Sequence, residues 1–293
     1  MKPSTELMKT KQKSDPKFKD TLFRTLFGEK ERAIELCNAV AGTNYTRDAS
    51  VVLCDTGSSL LRRYNDLAFA FENELIVLYE HQSTLNPNMP LRFLSHITDT
   101  LFSWFVDGGK VYGKRVQKIP TPQFYVLYNG KETLKKETLR LSDAFKVYPT
   151  GPSIELVVKI IDVNHESGGE ILGKSSSLNG YAYLIASIRG FMDYGLTRDA
   201  AIKKAIQKCI DEDILVDFLK ENFEEVANML LWEYDQEAEY RVIREESWEE
   251  GRESVRIKTA LEMFKKGFDV SLIAEIIEMP MEWVNEITAP TLS

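Results

Sequence analysis

The sequence predicts an α/β core followed by an all-helical C-terminal part. Apolar residues recur with helical spacing over residues 20–41 and 91–106, whereas the short runs between and after these segments are rich in β-branched and aromatic residues. Beyond Gly180 every segment has a helical pattern. This order of helices and strands is typical of an α/β domain. The 293 residues, 43% of them hydrophobic, are enough to bury a sizeable core.

The individual elements follow in order along the chain. The first helix covers residues 20–41, with an expected break near Gly28 and with Gly42 at the position of a C-terminal cap. A second helix covers residues 91–106. The strands are predicted from short apolar runs and cover residues 51–54, 64–71, 75–79, 124–128 and 154–161.

Three regions are predicted along the chain. Residues 15–175 form the α/β core, residues 176–253 form an acidic helical extension, and residues 254–293 form a small helix-turn-helix-like tail. In the tail, Gly267 suits a helix stop and Pro280 a helix start. The tail is a candidate for reading DNA. Its net charge of −2 favours protein docking or self-association at least as well, including a homodimer formed through the C-terminal helices.

Charge is distributed unevenly along the chain. The net charge of −8 arises after residue 210, because residues 1–210 carry +6 and residues 211–253 carry −12. Basic residues concentrate before residue 20 and again at Lys110, Lys114, Arg115 and Lys118. Such stretches can neutralise phosphates, and they are equally typical of a solvent-facing polar surface.

The sequence favours a cytoplasmic protein. Cys37, Cys54 and Cys209 have no metal-ligand spacing and suit a reducing compartment. The N-terminus has no apolar stretch typical of a signal peptide, and no uncharged run reaches the roughly 18 residues of a membrane helix. We therefore expect neither secretion nor membrane spanning. The three histidines form no H-E-x-x-H motif, which gives zinc chemistry little support.

The most informative segment is YNDLAFAFENELIVLYEHQS, residues 64–83, in which residues 72–74 separate two apolar runs. The Asn in this loop tolerates positive φ and can turn a hairpin. With a three-residue loop Asp66 faces Glu80 at about 5 Å, and Gln82 shares the face of Glu80. With a two-residue loop the two acids fall on opposite faces. The register of the hairpin is therefore decisive.

Two carboxylates held this close together repel each other unless a proton or a cation lies between them. Mg²⁺ is a suitable cation, because it prefers oxygen ligands in octahedral geometry and keeps several waters. Between Asp66 and Glu80 it could activate a water and polarise a phosphoryl oxygen, which is the chemistry of phosphodiester hydrolysis. The alternative is that both acids are ordinary polar residues at exposed strand ends.

Six stretches of the chain carry a family resemblance. They are KDTLFRTLFG (19–28), NAVAGTNY (38–45), YNDLAF (64–69), LYEHQSTLNPNMPLRFL (78–94), QFYVLYNGKE (123–132) and ELVVKIIDVN (155–164). Together they resemble the Rpn family of recombination-promoting nucleases and transposase-related proteins, within the PD-(D/E)XK nuclease superfamily. The resemblance covers most of residues 15–230. It implies a restriction-endonuclease-like mixed-sheet core flanked by helices.

The resemblance also implies roles for single residues. Asp66 and Glu80 would be the metal-binding acids, and the main-chain carbonyl of His81 would complete the protein's share of the metal shell. Gln82 occupies the position where many superfamily members have Lys, and as a neutral amide it can orient a water but cannot offset charge. Asp20 would be an auxiliary acid. Asp20 also suits the start of a helix, where the macrodipole favours a carboxylate.

Two further patterns have competing interpretations. The stretch GGEILGKS at 168–175 matches the G-x-x-x-x-G-K-S string of a phosphate-binding loop. Gly180 argues against an ATPase, because it falls in the first turns of a helix that would have to start at Lys174. Arg92 and His96 lie four residues apart on one face of a predicted helix. There they could contact phosphate near the site or serve a surface or packing role.

The sequence therefore predicts a Mg²⁺- or Mn²⁺-dependent DNA endonuclease, linked to recombination or transposition, that uses Asp66, Glu80, Gln82 and Asp20. The alternative is a nuclease fold with weak or no catalysis that acts as a DNA-binding or protein-interaction module. The neutral Gln82 and the acidic C-terminal third favour this alternative.

Overall fold

A computed structural model of the chain describes residues 22–54, 66–147 and 151–289, with the backbone alone for residues 66, 235–246 and 250. Within these residues the chain forms a six-stranded mixed sheet flanked by helices and followed by a helical C-terminal part. The strands β1 to β6 cover Val51–Leu53, Asp66–Phe71, Leu75–Gln82, Thr121–Tyr128, Thr138–Arg140 and Val157–Asp162. The helices α1 to α10 cover Leu22–Phe27, Lys30–Ala41, Met89–Trp104, Gly169–Gly173, Ser176–Asp193, Arg198–Asp211, Val216–Glu221, Phe223–Lys265, Val270–Ile276 and Met281–Thr288.

The strand order β1-β2-β3-β4-β6-β5 places three parallel strands, β3, β4 and β6, in the middle of the sheet. Their last residues, Gln82, Tyr128 and Asp162, pair in register and define one edge of the sheet, which we call the carboxyl edge. The antiparallel strand β2 begins at this edge with Asp66. Ligand sites of α/β sheets commonly lie outside the carboxyl ends of parallel strands.

Each face of the sheet is covered by helices. Phe93 of α3 belongs to the same buried cluster as Leu78 of β3, so α3 covers one face. On the opposite face, Phe23 of α1 and Tyr181 of α5 pack their rings against His81. Because side chains alternate along a strand, Glu80 and Gln82 share the α3 face with Leu78.

The β2–β3 hairpin has the register that the three-residue loop predicts. Asp66 pairs with Glu80, and the chain turns over residues 72–74. Two loop residues, Glu72 and Asn73, have positive φ values of 50° and 56°. The prediction of a hairpin that opposes these two positions is therefore confirmed at the level of the backbone.

The predicted break in the first helix is also confirmed, because α1 ends at Phe27 and α2 begins at Lys30. A Cβ atom on Gly28 would lie 2.8 Å from the carbonyl oxygen of Arg24, which only glycine avoids at this turn. Gly42 ends α2 with a φ of 69°, as a C-terminal cap requires.

Other boundaries differ from the prediction. Strand β3 continues to Gln82, three residues past its predicted end, because parallel pairing with β4 persists across the polar residues. The short strand β5 is missed in the sequence, since three residues of mixed polarity carry no strand pattern. It forms because it pairs antiparallel with β6 along residues 157–159.

The described chain divides into two compact units at residues 232 and 233. In the second unit, apolar residues of the end of α8, of α9 and of α10 form a small cluster that includes Ala260, Ile273 and Val284. Helix α8 ends two residues before Gly267, whose φ is 84°, and α10 begins directly after Pro280. The predicted helix stop at Gly267 and helix start at Pro280 are therefore confirmed. None of the described helices combines the length and apolar character that crossing a bilayer requires.

Candidate active site

The direction of the backbone groups in β3 follows from two hydrogen bonds with β4. The N–H of Thr121 donates to the carbonyl of Glu74 at 2.8 Å, and the N–H of Asn129 donates to the carbonyl of Gln82 at 3.0 Å. Because backbone groups of successive residues point to opposite sides of a strand, the even-numbered residues of β3 direct theirs towards β4. The odd-numbered residues direct theirs towards β2.

This alternation fixes the relation between Asp66 and Glu80. They pair in register, and Glu80 directs its backbone groups away from β2, so the two residues form a non-hydrogen-bonded pair. This is the closer of the two kinds of antiparallel pair, with Cα atoms about 4.5 Å apart. His81, the next residue, directs its carbonyl towards β2. Two acids and one carbonyl are thus placed at neighbouring positions of the carboxyl edge.

The Glu80 side chain is buried and holds two polar contacts on one oxygen. Glu80 as a whole is 3% exposed. Its Oε1 atom lies 2.7 Å from Nη2 of Arg92 and accepts a 3.1 Å hydrogen bond from Nε2 of Gln82. A carboxylate can be buried at this depth only when charged or polar groups compensate for lost hydration. The structure therefore contains a positive partner for Glu80 within the chain itself.

Gln82 connects Glu80 to the segment that leads into α3. Its amide nitrogen also lies 2.9 Å from the Met89 sulfur, and its Oε1 atom accepts the N–H of Asn86 at 3.1 Å. Both ends of the amide are thus used within the protein. In this arrangement Gln82 orients the Glu80 carboxylate and anchors the start of α3, a positioning role that the sequence did not predict.

Arg92 and His96 occupy different environments on α3. The Arg92 side chain is 30% exposed and reaches Glu80, so it belongs to the site. His96, one turn later, is 4% exposed within the helix. Of the two interpretations left open by the sequence, a role beside the acids fits Arg92 and a packing role fits His96.

The His81 side chain lies on the face opposite Glu80. Its ring stacks on Phe23 at a centroid distance of 5.2 Å, and its Nε2 atom lies 3.2 Å from the Tyr181 hydroxyl. Burial, and to a lesser extent the positive charge of Arg189, lowers the pKa of His81 to about 3. The imidazole is therefore neutral at physiological pH and packs against Phe23 and Tyr181, so that only the carbonyl of this residue faces the candidate site.

A second polar cluster lies where β4 and β6 end. The Arg189 guanidinium donates to the Asn129 carbonyl and, at 3.1 Å, to Oδ1 of Asn164. The Asn164 side-chain nitrogen donates to the Gly130 carbonyl at 3.0 Å and to Asp162 at 2.9 Å. This cluster is not predicted from the sequence. The polar residues directly after each strand could have indicated it. Arg189 lies on a helix, and no local sequence pattern links it to these strand ends.

Gly130 allows the ends of β3 and β4 to meet. A Cβ atom at this position would lie 2.0 Å from the Ser83 carbonyl oxygen and 2.3 Å from the Tyr128 hydroxyl. No side chain fits there without moving backbone. The segments that follow β3 and β4 can therefore lie in contact only with glycine at this position.

Asp162 is not placed as a third acid of the site. Its Oδ1 atom accepts the Asn164 N–H at 2.9 Å, and its Oδ2 atom accepts the Ser167 hydroxyl at 2.6 Å. These bonds shape the turn after β6. Among the side chains that the structure describes, no group of three His, Cys, Asp or Glu is arranged to hold a metal ion. The Asp66 side chain and the whole of Asp20 lie outside that description.

The donor atoms of Asp66, Glu80 and the His81 carbonyl nonetheless suit a hard divalent cation. Two carboxylates and a carbonyl offer oxygen ligands, which Mg²⁺ prefers. The Arg92 guanidinium competes with such an ion, because it already compensates the charge of Glu80.

The phosphate-loop string folds differently from a nucleotide site. Residues 169–173 form the short helix α4, and Lys174 pairs with Glu170 at 2.6 Å. The N-terminus of α5 holds the chain's own carboxylate, since Glu35 accepts the Ser177 N–H at 3.1 Å and the Ser177 hydroxyl at 2.7 Å. Burial opposes ionisation of Glu35, but its bonds with Ser177 and Ser176 lower its pKa below the usual value. An internal anion thus occupies the place where a phosphate would bind.

Comparisons of the chain with protein-family models, with curated proteins and with solved structures found no match.

Proposed function

We propose that the protein is a metal-dependent DNA endonuclease of the Rpn family, with a restriction-endonuclease-like core, linked to recombination or transposition. One observation carries this proposal: Asp66 and Glu80 are directly opposed at the carboxyl edge of a mixed sheet. Gln82, two residues after Glu80, lies on the same face and bonds it. This arrangement supports hydrolysis of a phosphodiester bond better than the other chemistries the sequence suggested.

The protein would hold Mg²⁺ or Mn²⁺ through the carboxylates of Asp66 and Glu80 and the carbonyl of His81. When bound, the ion supplies a Lewis acid for the phosphodiester. Gln82 keeps the Glu80 carboxylate oriented, as its 3.1 Å hydrogen bond indicates. Asp20, two residues before the start of α1, remains the proposed auxiliary acid.

Arg92 would supply the positive charge that Gln82 lacks. A guanidinium is permanently charged and can bind two phosphate oxygens at once. Arg92 contacts Glu80 at 2.7 Å, and its side chain is 30% exposed, so it can also face a substrate. In the active complex we assign to Arg92 the role of binding the scissile phosphate and stabilising the charge that develops on it.

The proposal is tested by nicking of supercoiled plasmid DNA with purified protein, with Mg²⁺ or Mn²⁺ and with EDTA. We expect Asp66→Asn and Glu80→Gln to lower the rate at least about 100-fold, the order of loss seen when a main electrostatic contact is removed. Glu74→Gln is the matched control, because it removes an exposed acid at the other end of β3. Cleavage by both site variants at the wild-type rate would refute the assignment.

The same assay tests the role of Arg92. Arg92→Lys retains a cation but loses bidentate geometry, whereas Arg92→Met retains only the apolar stem. We expect cleavage to fall in the order wild type, Lys, Met. A Met variant as active as wild type would leave Arg92 without a role in the reaction.

A second function is favoured by the contacts of Glu80 with Arg92 and Gln82. A carboxylate compensated within the chain also fits a nuclease fold that has become a DNA-binding or protein-interaction module. Calorimetric titration with Mn²⁺ distinguishes the two, because a module with no metal site would show no uptake that depends on Asp66. Uptake by wild type that Asp66→Asn abolishes would favour the nuclease.

A further inference from the structure

The loop over residues 107–118, here called the basic loop, combines positive charge with an exposed aromatic ring. It carries four cations against the one carboxylate of Asp107, in a chain whose net charge is −8. The four cations are all exposed: Lys110, Lys114, Arg115 and Lys118. Among them stands Tyr112, which is 92% exposed. A tyrosine ring presented almost entirely to water is suited to contact with a partner.

The backbone of the basic loop is held in place by hydrogen bonds. The Gln117 amide closes the loop, since it accepts the Asp107 N–H and donates to the Asp107 carbonyl, both at 3.1 Å. The Asp107 carboxylate accepts the Gly109 N–H at 3.0 Å and pairs with Lys110 at 3.1 Å. A short 3₁₀ turn over Lys110–Tyr112 follows. A loop that is ordered in this way loses little conformational entropy when it binds a ligand.

We infer that the basic loop binds an unpaired segment of a nucleic-acid strand. Lys114 and Arg115 contact its phosphates, and Tyr112 stacks on one of its bases. Cations that follow a backbone, together with an aromatic ring open to stacking, are the usual elements of single-strand binding. A paired base would offer no free face to Tyr112, so the surface favours frayed, gapped or branched DNA over an intact duplex.

The inference rests on the proposed function for the identity of the polymer, and it adds a second contact region for the same substrate. The basic loop leads into β4, where Thr121 bonds Glu74 at the end of the sheet opposite the carboxyl edge. Leu75, which pairs with Thr121, is five residues from Glu80 along β3, or about 17 Å at the usual rise of a strand. A strand that reaches both regions must therefore span at least about 17 Å.

The experiment measures binding of a fluorescently labelled single-stranded 20-mer by the full-length protein in EDTA, from 50 to 200 mM salt. Lys114→Ala/Arg115→Ala should reduce the slope of log K against log salt by about 1.4, the value for two phosphates of a single strand. The control is Lys135→Ala/Lys136→Ala, which removes the same charge from another exposed loop and should leave the slope unchanged.

Tyr112 is tested in the same assay. Tyr112→Ala should weaken single-strand binding roughly 5- to 150-fold, the range for loss of one stacked base, and weaken duplex binding far less. Tyr112→Phe should bind as wild type. Tyr194→Ala is the matched control, since Tyr194 is 87% exposed and follows the end of α5, outside the basic loop. Thermal unfolding of each variant is measured as well, to check that the fold is retained.

Several outcomes would overturn the inference. They are equal losses from both double variants, unchanged binding by Tyr112→Ala, and conversion of a dimer to a monomer by Tyr112→Ala in sedimentation. The result is separable from the proposed function, because binding is measured in EDTA, where no metal-dependent cleavage occurs, and cleavage is measured in a separate assay. Loop variants that lose affinity while Glu80→Gln still cleaves would support the loop and refute the catalytic assignment. Loop variants with normal affinity, together with an inactive Glu80→Gln, would refute the loop and support the catalytic assignment.

Discussion

The contact between Arg92 and Glu80 predicts a large and specific effect on stability. The Glu80 side chain is 4% exposed and that of Arg92 is 30% exposed, with 2.7 Å between Nη2 and Oε1. Arg92→Met retains most of the apolar stem and removes the charge. The carboxylate would then lose its cationic partner while it remains buried. Removal of one partner from a buried pair costs about 3–5 kcal/mol.

The exposure of Arg92 reduces this figure, because water already screens part of the interaction. We therefore expect Arg92→Met to lower the free energy of unfolding by about 2–3 kcal/mol in EDTA, at or below the lower limit of the range for buried pairs. In the Glu80→Gln background the same substitution should cost about 1 kcal/mol or less, since no buried charge remains. The coupling between the two residues would thus be about 2 kcal/mol.

Urea unfolding of the wild type, both single variants and the double variant measures this coupling, with circular dichroism as the signal. Arg140→Met is the control. Arg140 and Glu155 are 3.9 Å apart and more exposed, so loss of this pair should cost less than about 1 kcal/mol. The reasoning is refuted if Arg92→Met costs as much in the Glu80→Gln background as in the wild type.

Three further predictions follow from the sheet and its helices. Gly130→Ala should destabilise the protein by about 3 kcal/mol or more in urea unfolding, because its Cβ would overlap the Ser83 carbonyl. Gly190→Ala on α5 is the control: a Cβ there meets no atom within 4 Å, so this substitution should stabilise the protein by up to about 1 kcal/mol. His81 has a folded pKa of about 3, below its unfolded value of about 6.5, so the unfolded state binds the extra proton and stability falls as pH drops from 6.5 towards 3. Unfolding at pH 7 and pH 5 should differ by about 2 kcal/mol from this residue alone, and His81→Gln should lack that difference; an equal loss in the variant would contradict the assignment. Lys174→Ala should leave DNA cleavage unchanged, and ATP binding that this substitution abolishes would revive the phosphate-loop interpretation.

Local patterns were sufficient to predict the elements that the chain builds from adjacent residues. The hairpin is an example: two apolar runs with an Asn between them predict the turn, whereas the choice between a two-residue and a three-residue loop is decided by the observed pairing of Asp66 with Glu80. The stop at Gly42 is another, because a left-handed cap depends on one residue. Such features depend on steric preferences within a few residues, and those preferences can be read in the sequence.

Contacts between distant segments could not be predicted in the same way. Arg92 reaches Glu80 only because α3 returns across the face that carries Gln82, and nothing in the helical spacing specifies which strand residue it meets. Arg189 joins the ends of β4 and β6 from a helix that follows much later in the chain. The role of Gln82 likewise required the positions of Met89 and Asn86, which depend on the turn before α3.

The two proposed functions differ in one measurable quantity, which is the affinity of the acidic pair for a divalent cation when Arg92 is absent. In a nuclease, Arg92 and the metal compete for Glu80, so Arg92→Met should bind Mn²⁺ more tightly than wild type although it cleaves less. In a module without a metal site, the buried Glu80 carboxylate would gain no partner, and added Mn²⁺ would not restore the stability lost in Arg92→Met. Urea unfolding of this variant with and without Mn²⁺ therefore decides between the two functions. Stabilisation by saturating metal, absent when Asp66→Asn is added, indicates a cation bound by both acids.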